Sequence, residues 1–122
     1  MFSGVTEGDA MRGHVLKSSP ETIHWGYFDA ALEPALTISS GEEVIIQSIS
    51  GDNPVLPGAD FTVLPEHRAV IDAIRPGLPG HILTGPVYVE GAKPGNVLQV
   101  DILDVKVRQD WGFNYSAPLK GA

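Results

Sequence analysis

The chain has 122 residues, with 8 Lys and Arg against 15 Asp and Glu, and a net charge of −7. That length makes one domain, and so acidic a chain with no basic stripe repels phosphate backbones, which argues against nucleic acid as a partner. No apolar run reaches the roughly 18 residues of a membrane-spanning helix, and with no cysteine there is no disulfide framework, thiolate metal site or thiol nucleophile. The opening Met1–Met11 stretch lacks a charged region followed by an apolar one, so it does not read as a secretory leader. A cytoplasmic protein with no membrane partner is the expectation.

Residues 1–12 are small and polar and read as a flexible arm, leaving 13–122 as a single β domain. The chain holds 14 Gly and 10 Pro, about a fifth of its length against about 12 % usually. They punctuate short apolar runs, the grammar of an all-β domain with many turns. His14–Lys17 reads as a first strand. Thr22–Phe28 follows, with Ile23, Trp25 and Tyr27 on one face and Thr22, His24 and Phe28 on the other. Ala35–Ile38 is a third strand and Val44–Ile49 a fourth, whose neighbouring apolar residues suggest cover on both faces.

From Val55 to Gly80 five prolines, counting Pro54, rule out a long strand. One short helix, Glu66–Ile74, carries Val70, Ile71 and Ile74 at helical spacing and stops before Pro76. Val87–Val89 is a further strand. Ala92–Asn96 is a turn with Pro94 and Gly95 at the positions of a type II turn. The longest expected strand is Val97–Arg108. Its apolar parity changes from Leu98, Val100 and Ile102 to Leu103, Val105 and Val107, which predicts a bulge near Leu103 and Asp104. The fold class expected is therefore all-β, with sandwich-like antiparallel sheets, Gly/Pro-rich turns and one short helical excursion.

The chemistry-bearing residues are sparse. His14 and His67 read as exposed or rim histidines. His24 lies beside Trp25 on the polar parity of its strand. His81 ends a stiff Pro-Gly-Leu-Pro-Gly loop just before a strand, a place where ligands often bind. Asp52 sits in a turn, where its carboxylate most often satisfies nearby backbone N–H groups. Glu42 and Glu43 are adjacent and would face opposite sides of a strand. No nucleophile elbow, phosphate loop or dinucleotide glycine motif is present.

The run Thr84-Gly85-Pro86-Val87-Tyr88-Val89-Glu90-Gly91-Ala92-Lys93-Pro94-Gly95-Asn96-Val97-Leu98-Gln99-Val100 resembles a signature of the acetamidase/formamidase family, T-G-P-[VI]-x-V-x-G-A-[EK]-P-G-D-x-L-x-V. His24–Asp29 looks like that family's early strand. Pro34-Ala35-Leu36 before Ser40-Gly41, and Ser48-Ile49-Ser50-Gly51 before Leu56-Pro57, agree in order and spacing. The resemblance runs from His14 to Trp111.

It implies a sandwich-like β fold and an amidohydrolase that splits short linear amides, such as formamide or acetamide, into ammonia and a carboxylate. It also implies a divalent metal, Zn²⁺ or Ca²⁺. Family members are longer, so the match is to their N-terminal portion, and the acidic Q-G-D-G-E run of their second half has no counterpart here. His24 and His81 carry over as substrate-binding wall residues, and His81 and Asp52 as the catalytic candidates. Two positions depart from the pattern: Asn96 stands where aspartate is usual and Lys93 where glutamate is common. The partners implied are a small amide and either further copies of the chain or a chain supplying the C-terminal half. The rival reading is a non-catalytic β module for small-ligand binding or subunit association.

Overall fold

A computed structural model describes residues 13–120. The expected N-terminal arm, 1–12, lies outside the described residues. Six short strands form in chain order: β1 (Gly13–Leu16), β2 (Ile23–Trp25), β3 (Leu36–Ile38), β4 (Glu43–Ile46), β5 (Ile82–Thr84) and β6 (Val87–Val89). Between β4 and β5 lie a 3₁₀ turn, Asn53–Val55, and the helix α1, Pro65–Ala73. The all-β character with one short helical excursion is as the turn-rich sequence leads one to expect.

The strands pair as three two-stranded sheets, β1–β4, β2–β5 and β3–β6. Only β2–β5 is antiparallel; β1–β4 and β3–β6 are parallel. The expected antiparallel pattern is therefore corrected for two pairs of the three. A tight turn would have imposed antiparallel pairing, but all three pairs, the antiparallel β2–β5 included, join strands separated by long excursions, so direction is left to contacts between distant segments.

Hydrogen bonds between segments, rather than one continuous ladder, tie the pairs together. Thr84 Oγ1 donates to the Gln47 carbonyl at 3.0 Å and lies 2.9 Å from Ser18 Oγ. Ser18 is buried and its hydroxyl also donates to Gln47 O. The end of β5 is thus fastened to the segments just beyond β1 and β4. Gly85 N–H donates to Thr22 O at 2.8 Å, and Ala35 N–H to Pro86 O at 2.9 Å. The second of these leads from β5 toward the β3–β6 pair.

The core is small. Trp25, Ile49, Val70, Ile71 and Ile82 are buried together, with Ile23, Leu56, Leu64 and Ile74 packed around them. Trp25 and Ile82 face each other across β2–β5, so one face of that ribbon meets the apolar stripe of α1. The indole Nε1–H of Trp25 donates to Gly80 O at 3.2 Å. α1 starts with Pro65 in its first turn, where a missing N–H costs nothing, and with Glu66 where the helix dipole favours an acid. The helix begins and ends one residue earlier than the spacing predicts.

Two expectations fail for want of cover. β4 was expected to be apolar on both faces and buried. It ends at Ile46, with Ile45 and Ile46 both exposed. The long strand Val97–Arg108 with its bulge does not form a ladder: the segment is paired to no strand among the described residues. Val97, Leu98, Val100, Ile102, Leu103, Val105 and Val107 are all exposed. Lys93–Asn96 closes a turn with Gly95 at φ 91°, but the segment that leaves it meets no neighbouring strand among the described residues.

Gly26 is the tightest backbone contact in the core. It has φ +86°, and a Cβ there would run into the Leu78 carbonyl of the Pro76–Gly80 loop. That loop is fastened by Gly77 N–H to Trp25 O at 3.0 Å. Gly26→Ala should cost about 2 kcal/mol or more, from backbone strain and the displaced loop. A lowered urea midpoint with an unchanged slope checks it.

Candidate functional site

The β2–β5 register places the two histidines singled out from the sequence. Trp25 and Ile82 point into the core, so the alternate pair, His24 and Leu83, points outward. Gly26 N–H donates to His81 O at 3.0 Å, extending the ladder by one more pair. His81 is thereby held by its backbone opposite Gly26, next to the end of the β2–β5 register. His24 is half-buried, and its Nδ1–H donates to Gly85 O at 3.3 Å, with the Tyr27 ring centroid 5.5 Å away. This leaves its Nε2 as an acceptor. His81 is exposed. His24 is thus held at the T-G-P run, which has a cis peptide between Gly85 and Pro86, and His81 stands immediately before β5.

Asp52 belongs to a different place. Its Oδ1 accepts the Asn53 N–H at 2.7 Å and caps the 3₁₀ turn. Its neighbour Gly51 has φ +104°, and a Cβ there would come within 2.6 Å of Val55 Cγ2 and 2.9 Å of Phe113 Cε1. The carboxylate is thus engaged in local turn chemistry.

His67 is the residue that the sequence reading misplaces. Expected at a rim, it is fully buried on α1. Its Nε2–H donates to Gly51 O at 2.8 Å, and its ring stacks on Trp111 with centroids 6.1 Å apart. The signal was present in the spacing: His67 lies three and four residues before Val70 and Ile71, and seven before Ile74, on the same stripe. Trp111 Nε1–H in turn donates to Thr62 O at 2.8 Å. Along the same seam Arg108 pairs with Glu66 and donates to Ser48 O at 3.3 Å. Two buried acceptors, His67 Nδ1 and Gln109 Oε1, have no hydrogen-bond partner there.

The described surface holds a shallow cleft of about 700 Å³ bordered by Ser40, Tyr88, Glu90, Lys93 and Leu98, and a second of about 410 Å³ bordered by Thr62, Leu64, Arg108 and Asp110. His24, His81 and Asp52 line neither. Among the described residues no three His, Asp or Glu side chains converge as a metal site. The residues present therefore do not fit the expected Zn²⁺ or Ca²⁺ by themselves, and no chemical step is assigned to a metal here. Nor is any described helix long and apolar enough to cross a membrane.

Residues 28–120 match the family model described as the Acetamidase/Formamidase family. The chain belongs to that family. It is similar to a formamidase of Methylophilus methylotrophus, with 58 % identity over 36 residues, 28 % of this chain and 9 % of the relative. It is also similar to an acetamidase of Mycolicibacterium smegmatis, with 63 % identity over 27 residues, 22 % of this chain and 7 % of that relative. The matched stretches thus cover less than a tenth of these relatives' own lengths. No solved structure matches the chain.

Within this family chain, His81 and Asp52 fall inside the span of the family model and His24 falls before it. The T-G-P run has a visible job: Thr84 ties three segments together, and Gly85 holds both Thr22 and His24. Asn96 keeps the turn closed without a charge. Its Oδ1 accepts the Lys93 N–H at 2.9 Å, and its own N–H donates to Lys93 O at 3.0 Å. The substitution of asparagine for the usual aspartate therefore preserves the hydrogen bond that the turn needs.

The Glu66 carboxyl lies below the usual carboxylate range. Partial desolvation pulls it up, but hydrogen bonds from its own backbone N–H and from Arg108, with the Arg108 charge, outweigh that pull. A lowered carboxyl favours the folded state while ionised, and this contribution disappears as pH falls through the lowered value. Stability of the wild-type chain should fall more steeply than that of Glu66→Gln between about pH 5 and pH 3. Urea midpoints across that range, with parallel slopes counting against the Arg108–Glu66 link, provide the check.

Proposed function

We propose that this chain is part of an amidohydrolase acting on short linear amides such as formamide or acetamide, with water adding to the carbonyl carbon and the C–N bond breaking to release a carboxylate and ammonia. The observation that supports this reading is the family match over residues 28–120, three quarters of the chain. Such hydrolysis needs an activated water, donors for the tetrahedral oxyanion and a proton for the departing amine. His24 and His81 are the candidates to bind the amide, and His81 is the better candidate for proton transfer. Asp52 is the weaker catalytic candidate because its carboxylate already caps a turn. The activated water and the oxyanion donors have no assigned source in residues 13–120. The Zn²⁺ or Ca²⁺ that the resemblance implies would need ligands from outside residues 13–120.

The separation of the three candidates from both clefts and from any convergent ligand group favours a second reading, a non-catalytic β module for small-ligand binding or subunit association. Ammonia release decides between them. The 122-residue chain alone should release ammonia from formamide or acetamide at close to the background rate, because losing even one oxyanion donor costs about a hundred- to a thousandfold. Completing the chain with the rest of a family-length polypeptide should restore turnover. In that completed protein His81→Ala should lower kcat/KM at least about tenfold, the order of a lost acid–base group, with unchanged melting. His67→Ala should instead lower the melting temperature. Turnover by the purified chain alone would place the catalytic groups within it; a folded, completed protein without turnover would establish the non-catalytic reading.

A further inference from the structure

The segment Val97–Val107 has the side-chain alternation of a strand although it pairs with none. Gln99 Nε2–H donates to Asp101 Oδ1 at 2.9 Å, and Lys106 Nζ lies 3.1 Å from Asp104 Oδ2. Both are contacts between residues two apart, which meet on the same side of an extended chain. The polar sides of the segment are therefore already paired locally. Its apolar sides are bare: Leu98, Val100 and Ile102 on one parity are 65 %, 72 % and 79 % exposed, and Leu103, Val105 and Val107 on the other are 70 %, 82 % and 85 % exposed. Each half of the segment is an amphipathic strand, and the two halves turn their apolar sides in opposite directions.

Exposed apolar sides on both parities call for cover. A second copy of the chain does not answer this. Edge-to-edge pairing with another Val97–Val107 would satisfy backbone groups but leave both apolar sides still facing outward, because pairing edges does not cover faces. What fits is polypeptide that supplies neighbouring strands and an apolar layer over each half. The curated relatives contain more than ten times the length of the stretches matched here.

We propose that Val97–Val107 is an internal strand of a sheet completed by the remainder of a family-length polypeptide, with Leu98, Val100 and Ile102 entering one apolar layer and Leu103, Val105 and Val107 another. The inference rests on family membership and not on amide turnover, so its test reads the backbone and not ammonia. The test uses a chimera in which residues 28–120 replace their counterpart in the Methylophilus methylotrophus formamidase. Amide hydrogen exchange at positions 97–108 should be fast in the 122-residue chain and slowed at least about a hundredfold in the chimera, as for a buried ladder. Val100→Asp or Val105→Asp should abolish that protection. The same substitutions should leave the far-UV circular dichroism and melting of the isolated chain unchanged, because both side chains are already exposed there. Three results overturn the proposal. They are failure of the chimera to fold, exchange in the folded chimera as fast as in the chain alone, and protection in the chain alone that rises with concentration alongside a dimer mass. An inactive chimera with a protected 97–108 segment would sink the enzymatic reading and leave this one standing.

Discussion

The Thr84 hydroxyl is the interaction on which the arrangement of this chain depends. The three strand pairs share no common ladder, so bonds that leave the sheets help to relate them to one another. Thr84 makes the central one, reaching the Gln47 carbonyl and the Ser18 hydroxyl at the ends of β4 and β1. Hydrogen bonds of this kind contribute about 1 kcal/mol each in net terms, yet leaving their buried partners unmatched costs more. The next two residues continue the work. Gly85 bonds to the segment entering β2, and Pro86 accepts from the segment entering β3. A tripeptide that looks like a family signature is thus a junction between sheets.

The same junction sets the outer surface of β2–β5. Because Thr84 and Ile82 face inward, Leu83 must face outward, and His24 with it. The outward parity of His24 is a consequence of its place in β2. Asp52 answers to a different constraint, the need of the 3₁₀ turn for an acceptor at its start. His67 answers to a third, the apolar stripe of α1, where it binds the Gly51 carbonyl and stacks on Trp111. The candidate residues of the sequence thereby answer to three different structural constraints.

The balance of burial is the second governing feature. A core built around Trp25, Val70 and Ile71 is closed on the α1 side by the helix and the Pro76–Gly80 loop. The other apolar stretches, Ile45–Ile46 and Val97–Val107, find no layer within residues 13–120. Their sequences carry the apolar density of buried strands, and their surroundings do not supply the cover.

Much of the chain was legible from residue order. Gly and Pro punctuation located the turns, period-two alternation located β2 and β6, and Val70, Ile71 and Ile74 located α1 to within one residue. These features are local: they depend on φ preferences and on which side chains lie two, three or four residues apart. Direction of pairing was not legible, because parallel β1–β4 and β3–β6 are chosen by contacts across long excursions and not by any turn. The burial of His67 was half legible, since its spacing fitted the stripe while its polarity argued for the surface; the Gly51 carbonyl, supplied from a distant loop, decided it. Alternation in Val97–Arg108 was correctly local and is visible in the Gln99–Asp101 and Asp104–Lys106 contacts. Whether that alternation becomes a ladder is a property of the neighbours, because a strand's hydrogen bonds and apolar cover both come from other segments.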